Sequence, residues 1–340
     1  MPSIINFTFT RQTFSAIDEI EQVVSKLQME LAINSRYICP MKFSVFSLKE
    51  RPYGDFHTHT NVGSDDGKVA PSELLNIAEE RKLAFLSISG HNSVAGLREA
   101  QKSENRKLFN GGILPATEIG VLADGVPIEI LAYAFDIDKM EKELGKLPVN
   151  AVPDAYGRYV TNAVNELMAS KGLKIDHDCG CDCTRWLDGL HAKILEKYPG
   201  YLAKFDSRFE DNYKYFLREG LLNPDSPFSV DLRGIYPTME QVSEMVNDCG
   251  GVKVYAHPEE SYERKHKAMR YLTDNKLIDG IECMHPSAKP HKQKKYINLC
   301  KKNDFIITGG SDFHSSPKYQ VGSQHVPAEL IKQFNPQKLV

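Results

Sequence analysis

From Tyr53 onward, short apolar runs alternate with stretches of helical periodicity. The runs "AFLSIS" (84–89), "GILPATEIG" (112–120), "IEILAYAF" (128–135), "GVKVYAH" (251–257), "DGIECM" (279–284) and "FIITGGSD" (305–312) each read as a buried strand. Between them, "PSELLNIAEERK", with Pro71 suited to a first turn, and "TMEQVSEMVNDCGG", which ends on glycine, predict helices. This rhythm predicts a parallel α/β fold. Two segments depart from it. In residues 1–50, Phe14, Ile17, Ile20, Val24, Leu27 and Leu31 recur at helical spacing, which reads as an N-terminal helical extension to a domain over 51–340. Residues 138–236 are helical, polar and loop-rich, and read as an insertion.

Composition narrows the classes. With 340 residues and 41% hydrophobic content, the chain suits one large domain or a domain with an insertion. A formal net charge of −3 with interspersed signs gives no basic field, so long duplex nucleic acid is not the expected partner. No apolar run approaches the roughly 18 residues of a membrane helix. The opening "MPSIINFTFTRQTFSAIDEIEQ" carries acids where a signal peptide needs an apolar block, so a cytoplasmic location and no membrane partner are expected. Seven cysteines in a chain this long read as reduced thiols. The run "HDCGCDC" offers His177, Cys179, Cys181 and Cys183, but not at the Cys-x-x-Cys spacing of structural zinc sites, and reads as an insertion loop.

Candidate chemistry sits where strands end. In "DFHTHTNVGSDDG" (55–67), His57 and His59 share one face of a strand because residues two apart point the same way. Alone, such a pair is weak. Further on, "SISGHN" brings His91, "PATEIG" Glu118, "VYAHPEES" His257 and "GGSDFH" Asp312 and His314, each just past an apolar strand. At the C-terminal ends of parallel barrel strands such groups converge on one mouth. Glu282 reads as a buttress for a ligand histidine, and His285 equally as a residue lining the mouth, in contact with a ligand residue or substrate, or as a packed histidine. His191, His266, His291 and His325 read as surface residues, and "KPHKQKK" (289–295) as a solvated helix face.

These motifs, in this order, resemble the polymerase and histidinol phosphatase (PHP) family of metal-dependent phosphoesterases over most of residues 53–318: "DFHTHT", "SDDG", a strand ending in His91, Glu118 after the third strand, "GGVKVYAHP" and "GSDFH". The resemblance implies a distorted seven-stranded (β/α)7 barrel, related to the TIM barrel, with a helical cap at 138–236. It also implies a site for two or three divalent ions. Carried over by position, one ion takes His57, His59, Glu118 and Asp312; Glu118 bridges to a second, which His257 also binds; and a third takes Asp66, His91 and His314. Glu118, Asp312 and His257 would carry the catalysis.

Two departures stand out. Glu129 in "EILAYAF" occupies a position where the family has histidine, which favours Mn²⁺ or Mg²⁺ over zinc, with Fe²⁺ also possible. Gly90 replaces the aspartate that usually precedes His91, and loss of such support loosens a site by about 10- to 100-fold. The expected activity is hydrolysis of small phosphate esters by metal-activated water, with nucleotides or short oligonucleotides first and histidinol phosphate second. A metal-binding homologue that has lost catalysis through Gly90 and Glu129 is the alternative from another class. Amidohydrolase-like chemistry ranks third.

Overall fold

An Asp–Gly pair turns the first two strands of the main sheet. Asp124 and Gly125 take positive φ values of 50° and 73°, the geometry a two-residue hairpin loop requires, and fold β4 (Ala116–Ala123) back on β5 (Val126–Tyr133) in an antiparallel ladder. The computed structural model describes residues 50–152, 155–175, 186–315 and 319–334. The expected helix over 14–31 and the run holding His177, Cys179, Cys181 and Cys183 lie outside them. Contacts divide the chain after Ser44 into two units, and every described strand and helix belongs to the second, Val45–Val340.

The other strands are β1 (Tyr53–Gly54), β2 (Phe85–Leu86), β3 (Gly112–Ile113), β6 (Val252–Tyr255), β7 (Gly280–Met284), β8 (Ile306–Gly309) and β9 (Val326–Pro327). Strands β4 to β8 form one five-stranded sheet in sequence order, β2 pairs with β3, and β1 pairs with β9. The expectation of a parallel sheet is corrected here. The ladders β2–β3, β6–β7 and β7–β8 are parallel, but β4–β5, β5–β6 and β1–β9 are antiparallel. The apolar runs alone could not show this, since a buried strand reads alike in either direction.

The longer helices are α1 (Pro71–Glu80), α2 (Ala95–Gln101), α3 (Ile137–Leu144), α4 (Ala155–Ser170), α5 (Trp186–Lys197), α6 (Met239–Asp248), α7 (Lys265–Asp274) and α8 (Pro290–Asn303). Pro71 opens α1, and Thr238 caps α6 in a reciprocal box with Gln241. Alternate residues of the sheet feed two cores. Ile119, Val121, Ile128 and Ile130 face Met140, Val242, Val246 and Leu272 of the helices, while Leu131, Tyr133 and Val254 face Phe56 and Phe85 on the other side. Glu118 and Glu129 fall on this second face by the two-residue period.

The segment between β5 and β6 builds a core of its own. Val160, Val164 and Met168 repeat every four residues along α4 and meet Leu190, Ile194, Phe209, Phe216 and Phe228. Each such buried side chain contributes roughly 1.5–3 kcal/mol. The segment includes a π-helical turn, Phe216–Leu221, a rare form that concentrates at functional sites.

Candidate metal centre

Residues 55–59 enter the site with no side chain exposed. Asp55 fixes them: its Oδ1 accepts from the backbone N–H of His57 (3.1 Å) and Ser311 (3.0 Å), and its Oδ2 from Gly322 (2.7 Å). His57 and His59 then turn to one side, with Nε2 atoms 3.0 Å apart. Glu118 lies three residues into β4 rather than past its end, and its Oε2 comes within 3.2 Å of His57 Nε2 and 3.3 Å of His59 Nε2. Asp312 Oδ1 is 3.3 and 3.1 Å from the same two nitrogens.

Two further groupings share Glu118. His257 Nε2 is 2.8 Å from Glu118 Oε1 and 3.5 Å from Glu129 Oε2. His91 Nδ1 is 3.3 Å from Glu118 Oε2, and its Nε2 is 3.4 Å from Asp66 Oδ2, which also lies 3.0 Å from His314 Nε2. The fold thus brings all nine sequence-predicted residues together: His57, His59, Asp66, His91, Glu118, Glu129, His257, Asp312 and His314. His59 stands in two groups, since its donor atom also converges with those of Asp66, His91 and His314.

The surrounding contacts hold the donors in place. Glu282, fully buried, sets Oε1 3.0 Å from His57 Nδ1 and accepts the backbone N–H of His257 at 2.8 Å. Ser64 Oγ lies 3.0 Å from His59 Nδ1 and accepts the N–H of His91 at 3.3 Å. The sequence marks Ser64 only as part of a motif, and gives no sign of Glu260, whose carboxylate groups with His285 and Asp312. His257 and Asp312 carry positive φ values of 24° and 51°. Non-glycine residues pay of order 1–3 kcal/mol for such conformations, which persist where the surroundings enforce them.

Gly90 has a local reason. A Cβ there would stand 2.8 Å from Gly63 O and 2.9 Å from Ser93 O, so this backbone leaves an aspartate no room. Of the four histidines expected at the surface, His266, His291 and His325 are exposed. His191 is not: it is buried, with Nε2 2.6 Å from Phe209 O and its ring against Phe216, because the insertion has a core to receive it. Cys249, Cys283 and Cys300 are buried free thiols.

Charge is concentrated here. Burial alone would raise the Glu118 carboxyl, yet His57, His257 and His59 hold it well below the usual range. Asp312 is likewise pulled well down by His57, His285 and His59 against its burial. Burial opposes a proton on His91 and His257, but Asp66 and Glu118 around the first, and Glu118 around the second, push both up to about 10. Carboxylate charge is therefore offset here by protons on the imidazoles, which a bound cation would displace. Donors about 2.1 Å from a shared cation stand about 3.0–3.4 Å apart in octahedral or tetrahedral arrangement. The spacings of 3.0 to 3.3 Å among His57, His59, Glu118 and Asp312 match that, and imidazole with carboxylate suits a divalent ion.

No family model matches the chain. Among curated proteins it is similar to the 5′-3′ exoribonuclease Rnm of Salmonella typhimurium, 23% identical over 270 residues that cover 76% of this chain and 84% of that protein. It is also similar to the phosphoribosyl 1,2-cyclic phosphate 1,2-diphosphodiesterase of Eggerthella lenta, 25% identical over 283 residues, 76% of this chain and 93% of the relative. Among solved structures, an amidohydrolase of Chromobacterium violaceum superposes with a TM-score of 0.58 at 19% identity, covering 85% of this chain and 97% of that one, and shows a shared fold. The ordered motifs, the converging donors and these relatives together support a likeness to metal-dependent phosphoesterases of the PHP type.

Proposed function

We propose that this protein hydrolyses phosphate esters of nucleotides or short oligonucleotides with the help of two or three divalent ions. The observation that carries the reading is the Glu118 carboxylate, whose two oxygens face His57, His59 and His91 on one side and His257 on the other. Such a placement is that of a bridging group. In this reading His57, His59, Glu118 and Asp312 hold one ion, Glu118, His257 and Glu129 a second, and Asp66, His91 and His314 a third. Glu129 in place of an imidazole favours Mn²⁺.

When bound, such ions neutralise phosphate oxygens and lower the pKa of a water. The chain's own residues do the rest. Glu282 and Ser64 orient the imidazoles, and the buried segment 55–59 keeps bulk water from behind the donors. Asp312, whose side chain is 14% exposed, opens the cluster toward substrate. No serine or cysteine nucleophile is needed, so water attacks phosphorus directly. Both named relatives act on phosphates of ribose compounds, which supports a nucleotide-like substrate over histidinol phosphate.

The same reading includes a seven-stranded barrel. Its support is a run of backbone bonds outside the named ladders: Asp55 N–H to Phe85 O, Gly112 N–H to Ala84 O and Glu118 N–H to Gly90 O on one flank, and Phe56 N–H to Gly309 O with Asp312 N–H to His57 O on the other. Residues 138–236 are its proposed cap.

The test is metal content with hydrolysis of p-nitrophenyl phosphate and bis-p-nitrophenyl phosphate, for wild type and Asp312→Ala refilled with Mn²⁺. At least two ions per chain with turnover lost in the variant is the expected result. Metal bound without turnover on either ester or on a nucleotide panel would replace the enzyme with a metal-binding protein, and no bound metal would end the reading.

A further inference from the structure

The outer face of α8 is basic along its whole length. No Asp or Glu occurs between Glu282 and Asp304, and the helix carries exposed charge at Lys294, Lys295, Lys301 and Lys302, with Lys289 exposed at its N-cap. Lys294 and Lys301, like Lys295 and Lys302, stand two helical turns apart, so they share one stripe, on which the exposed His291 and Asn298 also fall. The opposite face is taken up by the domain. Tyr296 and Cys300 are buried, and Lys292 turns inward to lie 3.9 Å from Glu259 Oε1, which also accepts from the Tyr296 hydroxyl at 2.6 Å.

This departs from the pattern elsewhere on the surface. Other exposed lysines sit beside acids, as Lys102 does with Glu99 and Lys146 with Glu143, each at 2.6 Å. Among the described residues, none of Lys289, Lys294, Lys295, Lys301 and Lys302 pairs with a carboxylate. In a chain of net charge −3, such a face of one sign repels itself, and a bound polyanion relieves the repulsion.

The stripe starts at the metal centre. Gln293 Nε2 donates to His285 O at 3.5 Å and to Ala288 O at 3.1 Å, which ties the first turn of α8 to that loop, and His285 Nε2 lies 3.4 Å from Asp312 Oδ2. From there the 14 residues of α8 carry lysines over about 21 Å. An anion that follows the stripe must repeat its charge and turn from the mouth onto a helix face. Single-stranded nucleic acid does both, whereas a duplex, with a persistence length of about 50 nm, does not bend so sharply. A membrane surface fits less well, because α8 keeps Tyr296 and Cys300 in the core and presents only polar side chains along the stripe.

We propose that the lysine face of α8 is a track for single-stranded nucleic acid, holding backbone phosphates beyond the one at the metal centre. This rests on the phosphoesterase reading and deepens it: the centre takes the end of a strand, and α8 takes the part that trails from it. Lysines meet phosphates as point charges, so the track reads no sequence and weakens with salt.

The test uses the Mn²⁺-loaded full chain, as wild type and as the quadruple variant Lys294→Gln/Lys295→Gln/Lys301→Gln/Lys302→Gln. Substrates are p-nitrophenyl phosphate and a dinucleotide and a decanucleotide of RNA with phosphate at both ends; binding is read by fluorescence anisotropy of a phosphorothioate decanucleotide. For the wild type, KM should fall from dinucleotide to decanucleotide. The variant should bind the decanucleotide about 10- to 100-fold more weakly at low salt, and its slope of log affinity against log salt should be shallower by up to about 3, as the loss of these phosphate contacts requires. Its metal content and its turnover of p-nitrophenyl phosphate should match the wild type, since these lysines touch neither the donors nor the reacting group. Unchanged decanucleotide binding in the variant overturns the proposal, as does a loss matched by equal loss of p-nitrophenyl phosphate turnover, or wild-type binding to phosphatidylserine vesicles with none to the decanucleotide. Absence of wild-type turnover on every ester, with lysine-dependent decanucleotide binding intact, would instead sink the phosphoesterase reading.

Discussion

Glu282 Oε1 lies 3.0 Å from His57 Nδ1, with neither side chain exposed to solvent. The carboxylate leaves His57 one tautomer in the neutral state, with the proton on Nδ1 and a free lone pair on Nε2 facing Glu118 and Asp312. Glu282→Gln keeps the shape and removes the charge. Metal affinity should fall by about 10- to 100-fold, measured by competition with a chromogenic chelator, while the circular dichroism spectrum stays that of the wild type.

Ser64 Oγ touches both His59 Nδ1 and the His91 backbone. Ser64→Ala should therefore loosen the group of His59, Asp66, His91 and His314 more than the group around His57. Stepwise Mn²⁺ titration should show one step weakened by about tenfold, with the others changed less.

Metal binding should be strongly pH-dependent. In the metal-free chain, His91 and His257 titrate near pH 10 against an ordinary imidazole near 6.5, so they contribute stability fully below about pH 6.5 that is lost as pH rises toward 10. Ions must displace those protons. The Tm of the metal-free protein should thus fall from pH 6.5 to 9 while the shift produced by Mn²⁺ grows over the same window. Calorimetry in two buffers of different ionisation enthalpy should register proton release on binding; none released would contradict the protonated state.

Gly90→Asp restores the residue the family commonly has there, yet it should not improve the site. The added Cβ meets backbone oxygens of Gly63 and Ser93, so the loop must shift, at a cost of about 1–3 kcal/mol. A lower Tm with equal or weaker metal binding is expected; a tighter site at unchanged Tm would refute the steric account.

What the chain disclosed in advance followed from short-range rules. Runs such as "DGIECM" and "FIITGGSD" gave β7 and β8 because apolar β-branched residues between turn formers have few other uses, and ordered His, Asp and Glu positions gave the centre. The direction of β5 was missed, though "ADG" held the hairpin signal, because apolar runs carry no sense of direction. Glu260 was missed for another reason. It reaches the cluster from a 3₁₀ turn, where neither the period of two nor that of 3.6 says which way a side chain points. His191 was misjudged because nothing local distinguishes a histidine beneath an insertion from one on its surface.

Asp55 joins His57 to Ser311 and Gly322, the last 267 residues further along the chain. Such a centre has no local nucleus. During synthesis, the segment carrying His57 and His59 emerges long before the segments that must hold it, and its non-local contacts must repay the entropy of closing that loop. Ion capture by the complete donor set is thereby deferred until the C-terminal segments have arrived, so the nascent chain exposes a histidine pair but not the bridged site. A chain truncated before Gly322 should fold slowly, if at all, and its weak residual metal binding should resemble that of an isolated His-x-His peptide.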